Sequence, residues 1–293
     1  MNSNPVEFWW QWLRVAAVVN ILAWLASAIA LKRRNARYGA AEYRSRFWLL
    51  ALAAGYVAGC AFRSILPRVD LTRVCLDASP LSSMVIGRSV ATVAELCFMA
   101  QCALLLHRIA LDAGSHTARR LALPLLPLIV VAECASWYAI LTTNYLGHAV
   151  ENSIWTLCAA LLLAGLLALW PTAARRQRQF LAATAILCVA YLLFMTTTNV
   201  PMYWHRWQAE QAAGAHYLSL AQGLVDAAGP CRVDRSWSTW REEIPWMTLY
   251  FTIAVWVSIL LPHAPRWPAQ PTPGGGHESL DNQPSQHSHS GIT

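Results

Sequence analysis

The chain has 293 residues, of which 56% are hydrophobic and 13% charged; its mean hydropathy is +0.36 and its formal net charge +7 at pH 7. A soluble domain carries roughly a quarter of its residues as charges, so this balance excludes one and makes a lipid bilayer the medium for which the sequence is built. The positive charge is therefore read first against membrane topology, and only then against nucleic acid.

About 20 apolar residues at 1.5 Å rise cross a hydrocarbon core about 30 Å thick. Seven stretches meet that length. The first runs from Phe8 to Leu31, and Lys32, Arg33 and Arg34 follow it. A cleavable signal peptide has its basic residues before the apolar run, so this segment is expected to be retained as a helix. The second and third spans are Phe47 to Leu66 and Ser83 to Leu106. The fourth, Leu121 to Thr143, carries Pro124 and Pro127 in its first turns, where a missing N–H does least harm, though a kink is possible there. Ser153 to Trp170 and Phe180 to Val200 follow as the fifth and sixth, and Ile244 to Leu261 is the seventh. None shows the strict alternation or the ~10-residue length of outer-membrane strands. The expected fold is all-α: a polytopic seven-helix domain over residues 1–263, with no repeat between its halves.

The connection over 201–243 is too long for a simple helix-to-helix turn. Within it Tyr203, Trp204 and Trp207, then Leu218, Leu220, Leu224 and Val225, predict a helix lying in the membrane interface, with Gly229 and Pro230 ending it. Trp237, Trp240 and Trp246, together with Trp9, Trp10 and Trp12, predict an aromatic collar. Interfacial anchoring is the plain reading of such a collar; a lid over a lipid or sugar is the sharper one. Residues 264–293 are rich in Pro, Gly, Ser and Gln and lack apolar periodicity, as expected of a disordered cytoplasmic tail.

Orientation follows from the loops. One set carries thirteen Lys and Arg against four acids, while the other carries nine against nine. The positive-inside rule places the basic set in the cytoplasm, so the N-terminus is expected outside and the C-terminus inside, in a plasma membrane or a bacterial inner membrane. Membrane lipid is then the expected partner of the basic loops, and no folded soluble portion remains for nucleic acid. Six of the eight cysteines fall within or at the ends of spans; Cys75 and Cys231 alone lie in loops, both on the outer side, where disulfides persist. They are expected to be bonded.

Ionisable residues inside a membrane span point to function, and Glu95 and Glu133 are the two clear cases. Arg88, Thr92 and Glu95 recur at spacings of four and three, which draws one polar stripe along the third helix. On the fourth, Glu133, Trp137, Ile140 and Asn144 share a face with Ser136 close by. Glu151 and Asn152 are expected to open the fifth helix, and Asn199 and Tyr203 to close the sixth. These positions predict a polar cavity in the outer half of the bundle, lined by Arg88, Glu95, Glu133, Asn144, Glu151, Asn152 and Arg63. Glu95 and Glu133 are candidate acid and base; equally, each can serve as an interhelical hydrogen-bonding group.

Several chemistries are disfavoured. The one lysine, Lys32, lies in a cytoplasmic loop and cannot form a retinal Schiff base within the bundle. His107 sits at the opposite depth from His148, His205 and His216, so no histidine set suits haem or zinc, and no metal site is expected. Neither His-Glu-x-x-His, Gly-x-Ser-x-Gly nor a Walker loop occurs. No cofactor is indicated. The expectation is a membrane protein that binds a small or lipidic ligand in its outward half. A membrane enzyme acting on a lipid-linked or anionic substrate is the alternative, and proton-coupled transport a third.

Overall fold

The computed structural model describes residues 4–267. Seven helical stretches are long and apolar enough to span a membrane. The first three are α1 (Pro5–Arg33), α2 (Ala40–Ile65) and α3 (Met84–Asp112). The fourth is split at Pro124 into α4 (His116–Ala122) and α5 (Leu125–Thr142), because the ring cannot sit against a helical carbonyl one turn back. The fifth, α6 (Tyr145–Leu169), starts two turns earlier than Ser153. Thr143 adopts a left-handed conformation (φ 59°) and Asn144 caps α6 through the Leu146 N–H at 2.9 Å, so two residues reverse the chain.

The sixth stretch departs most from expectation. α7 (Arg175–Phe194) does not stop at Val200; it runs through a π-helical turn, Met195–Asn199, into α8 (Val200–Ala212). The π turn accommodates Pro201, whose ring would collide with the carbonyl four residues back in a regular helix. The Thr196 and Thr197 hydroxyls donate to the Leu192 and Leu193 carbonyls at 2.7 and 2.6 Å, as expected where a helix is loosened in an apolar setting. The long connection thus begins as helix. Its remainder holds α9 (Leu220–Ala228), capped by Ser219, and the short α10 (Trp237–Trp240). The last stretch, α11 (Ile244–Leu249), has a second π turn, Tyr250–Ala254, before α12 (Val255–Leu260).

The described chain is all-helical as expected, apart from a small element of sheet that joins the loops. β1 (Arg68–Val69) pairs antiparallel with β2 (Val74–Cys75), which pairs parallel with β3 (Arg232–Val233). Cys75 and Cys231 stand at disulfide distance beside it, with Cα atoms 5.9 Å apart. Arg73, in a left-handed turn (φ 56°), bonds the Asp70 and Ile140 carbonyls at 2.8 Å each and the Asp226 carboxylate at 2.6 Å. This one side chain fastens the loop to α5 and α9. Gly223 completes the seat of α9, since a Cβ there would overlap the Leu141 carbonyl.

The tryptophans are divided between packing and exposure. Trp9, Trp10 and Trp240 are buried and belong to one core cluster, whereas Trp12 and Trp237 are exposed. Trp9 donates to Thr248 at 3.0 Å and Trp10 to the Ile65 carbonyl at 2.9 Å, so half of the expected collar locks helix ends together. At the other end, Arg46 donates to the Pro262 and Ala264 carbonyls at 2.6 and 2.9 Å. Ala264 and Trp267 are buried, so the segment expected to open a free tail begins as packed chain; the rest of that expectation lies outside the described residues.

Candidate functional site

The 4-and-3 spacing on α3 places Arg88, Thr92 and Glu95 on one face, and the facing helices supply the rest. Arg88 Nη2 lies 3.1 Å from Glu95 Oε2 and 2.5 Å from Glu133 Oε2, while its Nη1 lies 3.4 Å from Glu151 Oε1. Thr92 donates to Glu133 Oε2 at 2.5 Å and accepts from Trp137 Nε1 at 3.1 Å. Tyr250 donates to Glu95 Oε1 at 3.1 Å, and His148 Nδ1 lies 2.6 Å from Glu151 Oε2. Arg88, Glu95, Glu133 and Glu151 are each 6% exposed or less.

Three carboxylates therefore share one guanidinium inside the apolar bundle. Uncompensated buried charge is expensive, so the arrangement either holds protons or takes further positive charge. Among the described residues, two atoms of the cluster have no hydrogen-bond partner, Arg88 Nε and Glu133 Oε1, and Ser136 Oγ, one turn from Glu133, is likewise buried and unpaired. Buried polar atoms are rarely left so.

The remaining expected residues fall around this centre. Asn152 donates to the His148 carbonyl at 2.7 Å and accepts from Asn199 at 2.7 Å, tying α6 to the π turn of the sixth stretch. Asn144 is buried but serves as the α6 cap. Arg63 is buried beneath the Tyr250 and Phe251 rings, 6.0 and 5.8 Å from their centres, and makes no direct ion pair among the described residues. Glu151 does not open its helix; it lies two turns in, which is why it reaches Arg88. Tyr250 was not singled out from the sequence, and His148 was weighed there only as a haem or zinc ligand, not as part of this site. His148 follows from the i, i+3 relation to Glu151 once the helix start is known, but Tyr250 depends on the π turn, which no periodicity reveals.

A second set of charges lies beyond His148. Arg206 donates to Glu242 at 2.6 Å and Glu243 at 3.0 Å, with the Tyr203 ring 5.7 Å away; the Tyr203 ring in turn lies 5.2 Å from His148. The hydrogen bond from Arg206 holds the Glu242 carboxyl below its ordinary value of 4.5. In β1, against the start of α3, burial pushes the Arg68 guanidinium down to about 10, leaving it protonated at neutral pH.

A cleft of about 220 Å³ lies at the opposite end of the bundle, between Glu42, Arg46, Arg108, Asp112, Arg266 and Trp267. Its charges have partners: Glu42 meets both Arg46 and Arg266 at 2.9 Å, and Arg108 faces Asp112 at 3.6 Å. The glutamate cluster, with its imbalance and its unpaired atoms, has the stronger claim to function. The chain matches no protein-family model, no curated protein and no solved structure, so the functional reading rests on this geometry.

Proposed function

We propose that this chain is a multipass membrane protein, with its N-terminus outside and its C-terminus in the cytoplasm, that binds a small positively charged ligand in the outward half of its bundle. One observation supports the reading most: a single guanidinium, Arg88, is shared by the three buried carboxylates of Glu95, Glu133 and Glu151. With all three ionised and His148 neutral, the cluster is two charges short of neutral, and an apolar surrounding favours a ligand that supplies them. A lipidic ligand with an anionic headgroup has less support, because both terminal nitrogens of Arg88 are already engaged.

The reading is tested on the purified chain in detergent by following its thermal midpoint against a panel of simple amines and metal chlorides. A cation-dependent rise in the wild type that shrinks in Glu133→Gln is the expected result; indifference of the wild type to every cation would remove the proposal. Orientation is tested separately in intact cells on a background lacking the free cysteines. A cysteine at Ser238 should react with a membrane-impermeant maleimide, and one at Ser115 should react only after lysis.

A second reading is kept because of the 2.6 Å contact between His148 and Glu151. A histidine in contact with a buried carboxylate is suited to proton transfer. It fits a membrane enzyme using Glu95 or Glu133 as acid or base, and it fits proton-coupled transport. Loss of proton uptake on reconstitution of His148→Gln, with ligand binding retained, would favour these over simple binding.

A further inference from the structure

We infer that Glu95, Glu133 and Glu151 hold a divalent metal ion, a hard cation of the calcium, magnesium or manganese class. The inference rests on the reading that this cluster takes positive charge, and it names the ligand. One carboxylate oxygen from each residue falls within 4.8 Å of the other two, and all three residues are buried. They come from α3, α5 and α6, so the three helices converge on one point.

Calcium accepts oxygen ligands at about 2.3–2.6 Å, which puts ligands on opposite sides of the ion about 4.6–5.2 Å apart. Every pair of the three oxygens lies within 4.8 Å, so one ion of that size can reach all three once the side chains rotate inward. Magnesium, at about 2.0–2.1 Å, requires the carboxylates to draw closer. Within the trio the donors are all oxygen, which selects a hard ion over a soft one.

Two of the unpaired atoms, both oxygens, point the same way; the third, Arg88 Nε, is a donor that a cation does not satisfy. Among the described residues Glu133 Oε1 is buried and accepts no hydrogen bond, and Ser136 Oγ, one helical turn along α5, is fully buried and has no partner. A cation supplies what these oxygens lack. Charge then closes: three carboxylates, one guanidinium and one divalent ion sum to zero, the state a low-dielectric interior favours. Arg63, also buried, makes no ion pair with any of the three carboxylates among the described residues and is left out of this count. The contacts of His148 with Glu151 Oε2 and of Tyr250 with Glu95 Oε1 fix the ligand carboxylates from behind, as outer partners do in metal sites.

The test uses the full chain in detergent, stripped with EDTA, returned to chelator-free buffer and titrated separately with CaCl2, MgCl2 and MnCl2. Bound metal is counted by plasma mass spectrometry, and the thermal midpoint is followed as ion is added. The expected result is one ion per chain, a midpoint that rises with ion concentration, and an apparent affinity weakened at least tenfold in Glu133→Gln and Glu151→Gln. The wild-type titration decides the matter even where a variant fails to fold. No stoichiometric ion and no midpoint shift with any of the three salts overturns the metal site. A shift with methylammonium chloride alone also overturns it while leaving the cationic-ligand reading intact, and indifference to amines and metals together removes both.

Discussion

Arg88 and Glu133 meet at 2.5 Å, although 45 residues separate them and each is carried by a different helix. The contact joins α3 to α5 at the depth where Glu95 and Glu151 also converge, so one guanidinium holds three helices in register. Buried ion pairs are weak evidence for net stability against an apolar replacement, but removing one partner alone strands the other.

That asymmetry gives the first prediction. Arg88→Gln leaves three carboxylates facing one another without a cation and should destabilise the chain by about 3–5 kcal/mol. Arg88→Lys, which keeps the charge but loses the planar fork, should fall between. Thermal midpoints or denaturant titrations in bicelles measure both. If Arg88→Gln were as stable as the wild type, the cluster could not be what aligns these helices.

The second prediction concerns how α6 is brought close enough. A Cβ on Gly147 would lie 2.6 Å from the Ala135 carbonyl oxygen and 2.8 Å from the Ala139 nitrogen, so only glycine permits this approach of α5 and α6. Gly147→Ala should cost about 1–3 kcal/mol by overpacking and displace the adjacent His148 and Glu151 from Arg88. Gly39, with nothing within 4 Å of its Cβ position, is the control: Gly39→Ala should change stability by less than about 0.5 kcal/mol. Equal effects at the two glycines would contradict the close-packing account.

How much of this was legible in the sequence depends on how local each signal is. The stripe of Arg88, Thr92 and Glu95 could be read because helical periodicity alone sets it, and Cys75 and Cys231 stood out as the two cysteines in loops. The sixth span was expected to end at Val200, yet the helix continues through Pro201, because a π turn absorbs the ring. The second π turn aims Tyr250 at Glu95, and a register shift of that kind leaves no trace in apolar spacing. Asn144 appeared to line the site and instead caps α6, since a residue's role at a helix end depends on where the preceding turn closes. That turn rests on Thr143 in a left-handed conformation, which its sequence does not announce.

The third prediction tests the covalent tie at the end of the bundle. Cys75 and Cys231 are 156 residues apart, and a crosslink over so long a loop restricts the unfolded chain by up to about 5 kcal/mol in the chain-entropy treatment. Helices that persist in the denatured state in detergent should lower that figure to about 2–4 kcal/mol. Cys231→Ser, or reduction of the wild type, should therefore lower the midpoint and expose 213–219 and 229–236 to protease while α1 to α3 stay protected. Mass mapping without reductant that finds both thiols free would defeat the prediction at its premise.

The same loop carries a pH dependence whose sign can be worked out. Hydrogen bonds from the Ser236 backbone and side chain, and then from Thr239, hold the Asp234 carboxyl below its ordinary value of 3.8, and the Arg206 hydrogen bond holds Glu242 below 4.5. A carboxyl depressed in the folded state binds protons less readily there than when unfolded, so its contribution is fully present above the unfolded value. It is lost as pH falls through the lower folded value. The loop should thus be indifferent to pH between 7 and 5 and loosen progressively below about 4.5. Glu242 is half exposed and Asp234 partly so, which keeps the effect local and modest. Hydrogen exchange across 229–243, compared at pH 6 and pH 3.5 after correction for intrinsic rates, should show faster opening in acid. Arg206→Gln should abolish the Glu242 part while leaving that of Asp234, because the latter depends on Ser236 and Thr239 rather than on the arginine. An acid response that disappeared entirely in Arg206→Gln would show that the Asp234 turn contributes nothing and that the Arg206 contact with Glu242 alone carries it.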